Sequence, residues 1–260
     1  MAEQGVRDMQ LIICGMGNTG NHLYEEIKSL NPVYCDLQYA ASDEHVYDIA
    51  FVCTPADSLP DGSCDTSIIE KIVSIIQAEI YVIKSAVPPR TADMLWSKYG
   101  KRIVISPEYY GTAPGTENTV NFVLLGGDKA DCAKVAELYS LIKPGSFRIL
   151  FTSWEAAELT RYMETCFHAL KVTFCNEFAR IAEAVRVTYP ELRELFIQDE
   201  CVNPSHTWVY PDKPYYDGYC LNAEIPAFIT FAKSLGVDPA LMVSVDAINR
   251  NAKAKMDSAQ

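Results

Sequence analysis

The sequence has little positive charge. Its 260 residues include 22 lysines and arginines against 34 aspartates and glutamates, which gives a formal net charge of -12. Nucleic acids and anionic membrane surfaces both need a basic face on the protein that binds them. The charge therefore argues against nucleic acid and membrane as partners, and solubility is the ordinary explanation of the acidity.

The sequence also lacks a cysteine pair with zinc-site spacing, a secretory signal and an apolar run of membrane-spanning length. It does contain nine cysteines. Their number is odd, their spacings are irregular, and Cys14 and Cys53 lie inside apolar strand patterns. We therefore expect neither a disulfide framework nor a metal site, and we expect a cytoplasmic protein with reduced thiols.

A glycine-rich stretch near the start organises the first half of the chain. The apolar run Leu11–Cys14 passes directly into residues 15–20, and a helical pattern follows. In this order of strand, turn and helix, Gly15 permits the tight turn, Gly17 lets a pyrophosphate approach the backbone, and Gly20 lets the helix pack close to the strand. The stretch predicts a dinucleotide site, with a purely structural turn as the alternative.

Polar groups beside the glycine turn extend this prediction. The first helical residues, Asn18 and Thr19, offer N–H groups and a partial positive charge to phosphates. About twenty residues on, Asp36 ends a second short apolar stretch, Val33–Cys35, as in dinucleotide-binding sequences. A carboxylate there accepts hydrogen bonds from a ribose diol and repels a 2′-phosphate, so NAD is favoured over NADP. The alternative is that Asp36 is a solvated loop residue.

Strand and helix patterns alternate through residues 1–152. Such repeats with short links predict a parallel, doubly wound sheet, that is, a Rossmann domain. The third strand ends at Thr54 and Pro55, the fourth ends at Ser85, and the fifth leads to Glu108. Ligands bind at the carboxyl ends of such strands, so we expect Thr54, Pro55 and Ser85 to join the cofactor site, with Glu108 on the same rim.

The sequence pattern predicts a small all-helical domain over residues 153–260. A helix without proline or glycine is predicted from Trp154 to about Val187, and its apolar face consists of Leu159, Tyr162, Phe167, Leu170, Phe174 and Phe178. A helical domain of this size cannot cover so long a stripe unaided, so we predict a homodimer through helix 154–187. The alternative is that the last two helices cover the stripe within one chain.

Several segments, taken in order, resemble the UDP-glucose/GDP-mannose dehydrogenase family. Residues 82–89 look like the family's V-x-K-S-T-V-P-x-G, and residues 218–224 look like its catalytic cysteine loop, G-S-C-F-P-K-D. The other matching segments are the glycine turn, Val52–Pro55, Ser106–Tyr109, Gly126–Asp128, Ala157–Leu159 and Phe174–Glu177. The ordered set spans nearly the whole chain.

The resemblance implies a chemistry. The family oxidises a sugar C6 alcohol to a carboxylate in two hydride transfers to NAD, and a cysteine thiolate holds the intermediate aldehyde as a thiohemiacetal. The corresponding nucleophile is Cys220, with Glu108 and Glu224 as candidates for handling water and protons. The lysine and asparagine of the family's helix correspond to Arg161 and Thr165, which would face the same pocket. For Cys220, the alternative is a buried structural thiol.

Other positions depart from the family pattern. Ala86 stands for its threonine, Ala223 for the lysine after the cysteine, and Tyr216 and Asp217 stand at glycine positions. Catalysis requires close placement of its groups, so these changes could abolish or redirect the chemistry. Two alternatives therefore stay open: an NAD-binding sensor or scaffold without turnover, and a single-step NAD-dependent reductase acting on another small molecule.

The family continues through a long helix into a second α/β domain that binds the nucleotide of the sugar. Residues 245–250 look like the start of that helix, and the sequence stops at Gln260. We therefore expect the usual UDP pocket to be absent from this sequence. Either another chain supplies the pocket, or the substrate is not a nucleotide sugar, or the protein is a degenerate relative.

Overall fold

The structure is a computed structural model that describes residues 5, 8–36, 45–109 and 120–258. It divides into two compact units. The described residues within 1–57, 64–110 and 120–161 form the first unit, and those within 58–63 and 162–260 form the second. The functional division that the sequence places after residue 152 remains a prediction.

A single sheet forms the centre of the first unit. In the described ranges it has seven strands: β1 Leu11–Cys14, β2 Val33–Cys35, β3 Val46–Val52, β4 Gln77–Ile83, β5 Arg102–Ile105, β6 Phe122–Gly127 and β7 Arg148–Thr152. They lie in the order β2-β1-β3-β4-β5-β6-β7. The strands β1 to β5 are parallel, whereas β6 is antiparallel to β5 and parallel to β7. The predicted doubly wound class is confirmed, with a sheet that is mostly rather than wholly parallel.

The sequence before β6 agrees with this reversal. Parallel pairing needs a crossover connection, which is usually a helix. Residues 106–121 include Pro107, Gly111, Pro114 and Gly115 and have no helical apolar period. Proline and glycine both disfavour a helix interior, so this stretch is a poor crossover helix and an antiparallel return is the simpler connection.

Helices cover both faces of the sheet. One face carries α1 Asn18–Ile27 and α4 Lys129–Ile142, and the other carries α2 Ser67–Ile75, α3 Thr91–Tyr99 and the first turn of α5 Trp154–Ala184. Successive strand residues point to opposite faces. Accordingly, Leu11 and Ile13 belong to the first core, whereas Ile12 and Cys14 belong to the second. Nearly continuous apolar strands are typical of a sheet that is buried on both faces.

The second unit consists mainly of helices. The helix α5 continues into it, and the others are α6 Tyr189–Phe196, α7 Tyr219–Ser234 and α8 Ala240–Asp257. Their core contains Cys166, Ala169, Tyr216, Ile225, Ile229, Met242 and Val245. In the described part of the chain, no helix combines the length and the apolarity that crossing a membrane requires.

Two helix boundaries differ from those expected. The helix α5 ends before the predicted Val187 because Arg186 adopts a left-handed conformation, with φ of 63°, which closes the helix in the way a terminal glycine usually does. The sequence predicts the next helix over Leu192–Ile197, whereas in the structure it begins earlier, at Tyr189. Its cap is Thr188, whose hydroxyl accepts a hydrogen bond from the Glu191 N–H at 3.4 Å.

The glycine turn packs against its own helix. A Cβ atom at Gly20 would lie 1.9 Å from the carbonyl oxygen of Gly15. At Gly15, φ is 97° and a Cβ atom would lie 2.9 Å from the carbonyl oxygen of Cys53. A Cβ atom at Gly17, by contrast, would meet no heavy atom within 4 Å. Two of the three glycines are therefore needed for packing, and the third leaves space above the turn.

We expect Gly20→Ala to lower the free energy of unfolding by about 3 kcal/mol, near the upper end of overpacking costs, because the backbones of α1 and the turn must separate. The matched control is Gly17→Ala, which should cost less than about 1 kcal/mol at this helix-capping position. Urea unfolding followed by circular dichroism measures both. Equal losses for the two variants would contradict this account of the turn.

Candidate functional site

The glycine turn presents backbone donors to open space. Gly17 is exposed and precedes the first turn of α1, and no side chain caps that helix. Asn18 is exposed and Thr19 is half-buried. The first N–H groups of a helix have no partners within the helix and carry its positive dipole end. This turn therefore suits a phosphate group.

Asp36 lies beside the turn because the backbone connects them. The Gly15 N–H donates to the carbonyl oxygen of Cys35 at 2.9 Å, and Cys14 is paired with Cys35 in the parallel register of β1 and β2. Asp36 follows directly and is exposed. A carboxylate and a set of N–H donors thus occupy the same edge of the sheet, as the sequence predicts.

The ends of β3 and β4 are joined at the same edge. The Ser85 hydroxyl donates to the carbonyl oxygen of Thr54 at 2.6 Å, and both residues are buried, whereas Pro55 is exposed. Among the described residues, the buried hydroxyl of Thr54 has no hydrogen-bond partner. Ser85 therefore holds the loop after β3 in place, and the Thr54 hydroxyl keeps unused hydrogen-bonding capacity.

A buried ammonium group holds Glu108. The Lys84 Nζ lies 3.3 Å from the Glu108 Oε2, and the Lys84 side chain is only 4% exposed. Burial alone would lower the pKa of Lys84, but the charges of Glu108 and other nearby groups hold it well above its usual value. The imidazole of His22 lies 3.9 Å from the same carboxylate. The sequence interpretation missed both residues, although a lysine that closes the buried strand pattern of β4 was a usable signal.

Arg161 lies beside the segment that carries Glu108. Its guanidinium is 6.0 Å from the ring centroid of Tyr109, and the Tyr109 N–H donates to the Glu108 Oε1 at 3.0 Å. All three residues belong to the first unit. The first unit thus brings together two of the five residues predicted to be catalytic.

The other three predicted catalytic residues belong to the second unit. The Thr165 hydroxyl donates to the Glu224 Oε2 at 2.5 Å, and both side chains are buried. Glu224 lies four residues after Cys220 on α7, which places the two on one side of that helix. The second unit therefore gathers Thr165 and Glu224 in direct contact, with Cys220 one helical turn away.

The thiol of Cys220 is exposed, so the alternative of a buried structural cysteine is wrong. It lies in the first turn of α7, where the capping position is Gly218 and no side chain caps the helix. Cys201 is the other exposed cysteine of the nine. By contrast, burial and then the charge of Glu224 raise the pKa of the Cys166 thiol to about 12, so that thiol stays protonated and inert.

A cavity of about 200 Å³ lies in the second unit beside this helix start. Aromatic side chains of the preceding loop form much of its wall, together with residues of α5 and α7; the lining includes Trp208, Tyr210, Tyr215, Tyr216, Lys213, Asp217, Val172, Asn176 and Leu221. The stacked guanidinium of buried Arg193 lies 3.6 Å from the Trp208 ring centroid. From the sequence alone, residues 203–219 are predicted only to be a loop rich in Pro, Asp and Tyr.

In the described ranges, no group of three or more His, Cys, Asp and Glu side chains is arranged to hold a metal ion.

Comparison with known proteins identifies relatives of the chain. The model of the UDP-glucose/GDP-mannose dehydrogenase family, central domain, matches residues 155–251. The UDP-N-acetyl-D-mannosamine dehydrogenase of Methanocaldococcus jannaschii is 27% identical over 196 residues, which cover 70% of this chain and 44% of that protein. The GDP-mannose 6-dehydrogenase of Pseudomonas syringae pv. tomato is 27% identical over 219 residues, with 76% and 49% covered. The chain thus spans about half the length of these two relatives.

The fold has solved counterparts. A UDP-glucose dehydrogenase from the hyperthermophilic archaeon Pyrobaculum islandicum matches with a TM-score of 0.76 at 19% identity, over 94% of this chain and 68% of that one. At this identity the likeness establishes the fold, which is of Rossmann type. The ordered motifs, the matched central domain and the relatives named as nucleotide-sugar dehydrogenases support membership of the UDP-glucose/GDP-mannose dehydrogenase family.

Proposed function

We propose that the chain is an NAD-dependent oxidoreductase that oxidises an alcohol, with a sugar C6 hydroxyl as the candidate group. One observation carries the proposal. The hydrogen bond from the Gly15 N–H to the Cys35 carbonyl oxygen sets Asp36 beside an open glycine turn. The named functions of the relatives support the same class of reaction.

The residues of the first unit fit NAD. The open space above Gly17 and the uncapped start of α1, at Asn18 and Thr19, would receive the pyrophosphate. Asp36 would accept the ribose hydroxyls. The unpaired hydroxyl of Thr54 offers a further hydrogen bond, and it lies on the same rim as Pro55 and Ser85. When bound, NAD accepts the hydride that leaves the carbon being oxidised.

The covalent part of the proposed reaction depends on Cys220. Its thiolate adds to the carbonyl carbon of the aldehyde and forms a thiohemiacetal, so the aldehyde is held for its second oxidation. The first turn of a helix stabilises the negative charge of a thiolate. The guanidinium of Arg161 and the Thr165 hydroxyl would stabilise the oxyanion, and Glu108 and Glu224 would handle the water and proton of the hydrolytic step.

The cavity of the second unit is the proposed place for part of the substrate. Ligand sites combine aromatic walls with a few polar groups that set orientation, and whole ligands usually need roughly 300 Å³ or more. At about 200 Å³, this cavity suits one portion of a larger molecule. Lys213 and Asp217, whose charged groups lie 3.3 Å apart, are its charged lining groups.

A second candidate function is NAD binding without turnover. The hydrogen bond between Thr165 and Glu224 favours it, since the only donor of the Thr165 hydroxyl is directed at a carboxylate and is then not available to an oxyanion. A single-step reductase with Cys220 as a bystander is the remaining alternative. The behaviour of the thiol separates these possibilities.

Cofactor binding is the first testable consequence. We expect NAD to bind at least about tenfold more tightly than NADP, a difference of ~1.4 kcal/mol, because the Asp36 carboxylate repels a 2′-phosphate. Asp36→Asn should reduce this preference, and Gly17→Val should abolish binding by filling the open space. Isothermal calorimetry measures each affinity.

The matched control for this experiment is Asp238→Asn, which changes an exposed aspartate of the second unit and should leave both affinities unaltered. If neither cofactor binds, the proposed site is wrong. If both bind equally well, Asp36 has no part in selecting the cofactor.

The covalent step predicts a reactive thiol. We expect iodoacetamide to alkylate Cys220 at least about tenfold faster than Cys201, because a thiolate is the attacking species and the helix start stabilises it, and we expect NAD to slow the reaction. Peptide mass spectrometry measures both sites in one sample. In turnover, Cys220→Ser should stop oxidation at or before the aldehyde, whereas Cys201→Ser should not.

The opposite pattern would support the candidates without covalent chemistry. It consists of similar rates at the two exposed cysteines, no protection by NAD, and full turnover of Cys220→Ser with a substrate that the wild-type protein oxidises.

We also propose a homodimer through α5. In the second unit, one stripe of this helix carries exposed apolar side chains, each 41% to 73% exposed: Met163, Phe167, Phe174, Phe178 and Ile181. Their spacing of three, four or seven residues places them on one face. Contiguous exposed apolar patches of this kind mark protein interfaces, and a two-fold axis lets the same stripe cover itself.

Light scattering at micromolar concentration should therefore report a dimer, and Phe174→Glu should convert it to a monomer by placing two charges in the apolar contact. The control is Leu241→Glu, since Leu241 is 60% exposed on α8, outside the stripe. A wild-type monomer at the same concentration would refute the proposal.

A further inference from the structure

We propose that Asn249 is a positioning residue for the Cys220 thiol, an inference that rests on the proposed function of that cysteine. Asn249 lies on α8 and is 6% exposed. Its Oδ1 accepts the N–H of Tyr216 at 2.7 Å, and its Nδ2 donates to the carbonyl oxygen of Tyr216 at 3.0 Å. One amide side chain thus binds both the backbone N–H and the carbonyl oxygen of a single loop residue.

The bonds of Asn249 fix the backbone four residues before Cys220. Side chains usually bond to one group of a distant backbone segment, whereas this amide reproduces the paired donor and acceptor of a strand neighbour. The Tyr216 side chain is itself buried in the core of the second unit. The loop is therefore held at Tyr216 by its backbone and by its side chain.

A second contact from the same helix holds the next loop residue. The Lys253 Nζ lies 2.8 Å from the Asp217 Oδ1, and Lys253 follows Asn249 by one helical turn of α8. The Asn222 Nδ2 donates to the same oxygen at 3.0 Å. The hydrogen bonds from Lys253 and then Asn222 lower the pKa of Asp217 to about 2. Asp217 and Asn222 lie on either side of Cys220, so this contact spans the start of α7.

The start of α7 is not held by a capping side chain. Its capping residue is Gly218, and no side chain caps the helix. A Cβ atom at Gly218 would meet only the Leu221 side chain, at 4.0 Å. Glycine leaves the backbone free, so the path of the backbone into Cys220 depends on how the preceding loop residues are held. The contacts of α8 with Tyr216 and Asp217 hold those residues.

Only asparagine makes both contacts with Tyr216 from this position. Alanine would leave a buried N–H and a buried carbonyl unpaired, which is costly. Aspartate would accept from the N–H but would direct a second oxygen at the carbonyl. The requirement for one donor and one acceptor therefore identifies Asn249 as a specific contact and not as general packing.

The test compares alkylation of two exposed cysteines in the same folded protein. Iodoacetamide labelling, quantified by mass spectrometry, gives the ratio of the Cys220 rate to the Cys201 rate. We expect Asn249→Ala to lower this ratio at least about tenfold, because the loop no longer holds the thiol at the helix start. Val245→Ala is the matched control. It removes buried side-chain volume from the same helix, so it should lower stability while the ratio stays within about twofold of wild type.

A second variant covers the case in which Asn249→Ala does not fold. Lys253→Met removes only the outer contact at a residue that is half-buried, and it should lower the ratio about threefold. An unchanged ratio in both folded variants, or an equal fall in Val245→Ala, would overturn the role of Asn249. A wild-type ratio near one would instead refute the proposed reactivity of Cys220, on which the inference rests. The wild-type ratio thus tests the proposed function, and the ratios of the variants test the role of Asn249.

Discussion

The approach of the Gly20 backbone to the Gly15 carbonyl is the constraint on which the first unit depends. Any side chain at Gly20 would overlap that oxygen, since its Cβ atom would lie 1.9 Å away. This close contact keeps α1 against β1, and the position of α1 brings His22 to within 3.9 Å of the Glu108 carboxylate. The turn, the uncapped helix start and the charged group at the end of β5 are therefore parts of one packing arrangement.

Much of the first unit could be predicted from the sequence because its signals are local. Periodicity and turn residues alone predict helices over about 91–99 and 129–142 and strands over 102–105 and 148–152, and the structure has these bounds. The direction of β6 could not be predicted in the same way, since strand pairing depends on contacts distant in sequence. The end of α5 was missed because an arginine at position 186, and not a glycine, takes the left-handed conformation.

In the candidate site too, features set by neighbouring residues could be predicted from the sequence, whereas contacts between distant residues could not. Sequence motifs identified Gly15, Asp36 and Cys220 as separate points, and local hydrogen bonds explain why the first two lie together. The partners of the polar side chains could not be predicted. The contact of Thr165 with Glu224 joins residues 59 positions apart, and that of Asn249 with Tyr216 joins residues 33 positions apart. No periodic pattern encodes such pairs, because each depends on how two segments distant in the sequence pack together.

The reversal of β6 separates the two edges of the sheet. The strands β1 to β5 end at the edge that carries the glycine turn, whereas β6 and β7 end at the opposite edge, and there the Trp154 indole N–H donates to the Ile103 carbonyl oxygen at 2.8 Å. The start of the long helix thus lies at the edge opposite the glycine turn. The same helix then crosses the sheet, because Arg161, two turns further on, lies beside the segment that carries Glu108, so a tilt of this one helix would shift groups at both edges of the sheet.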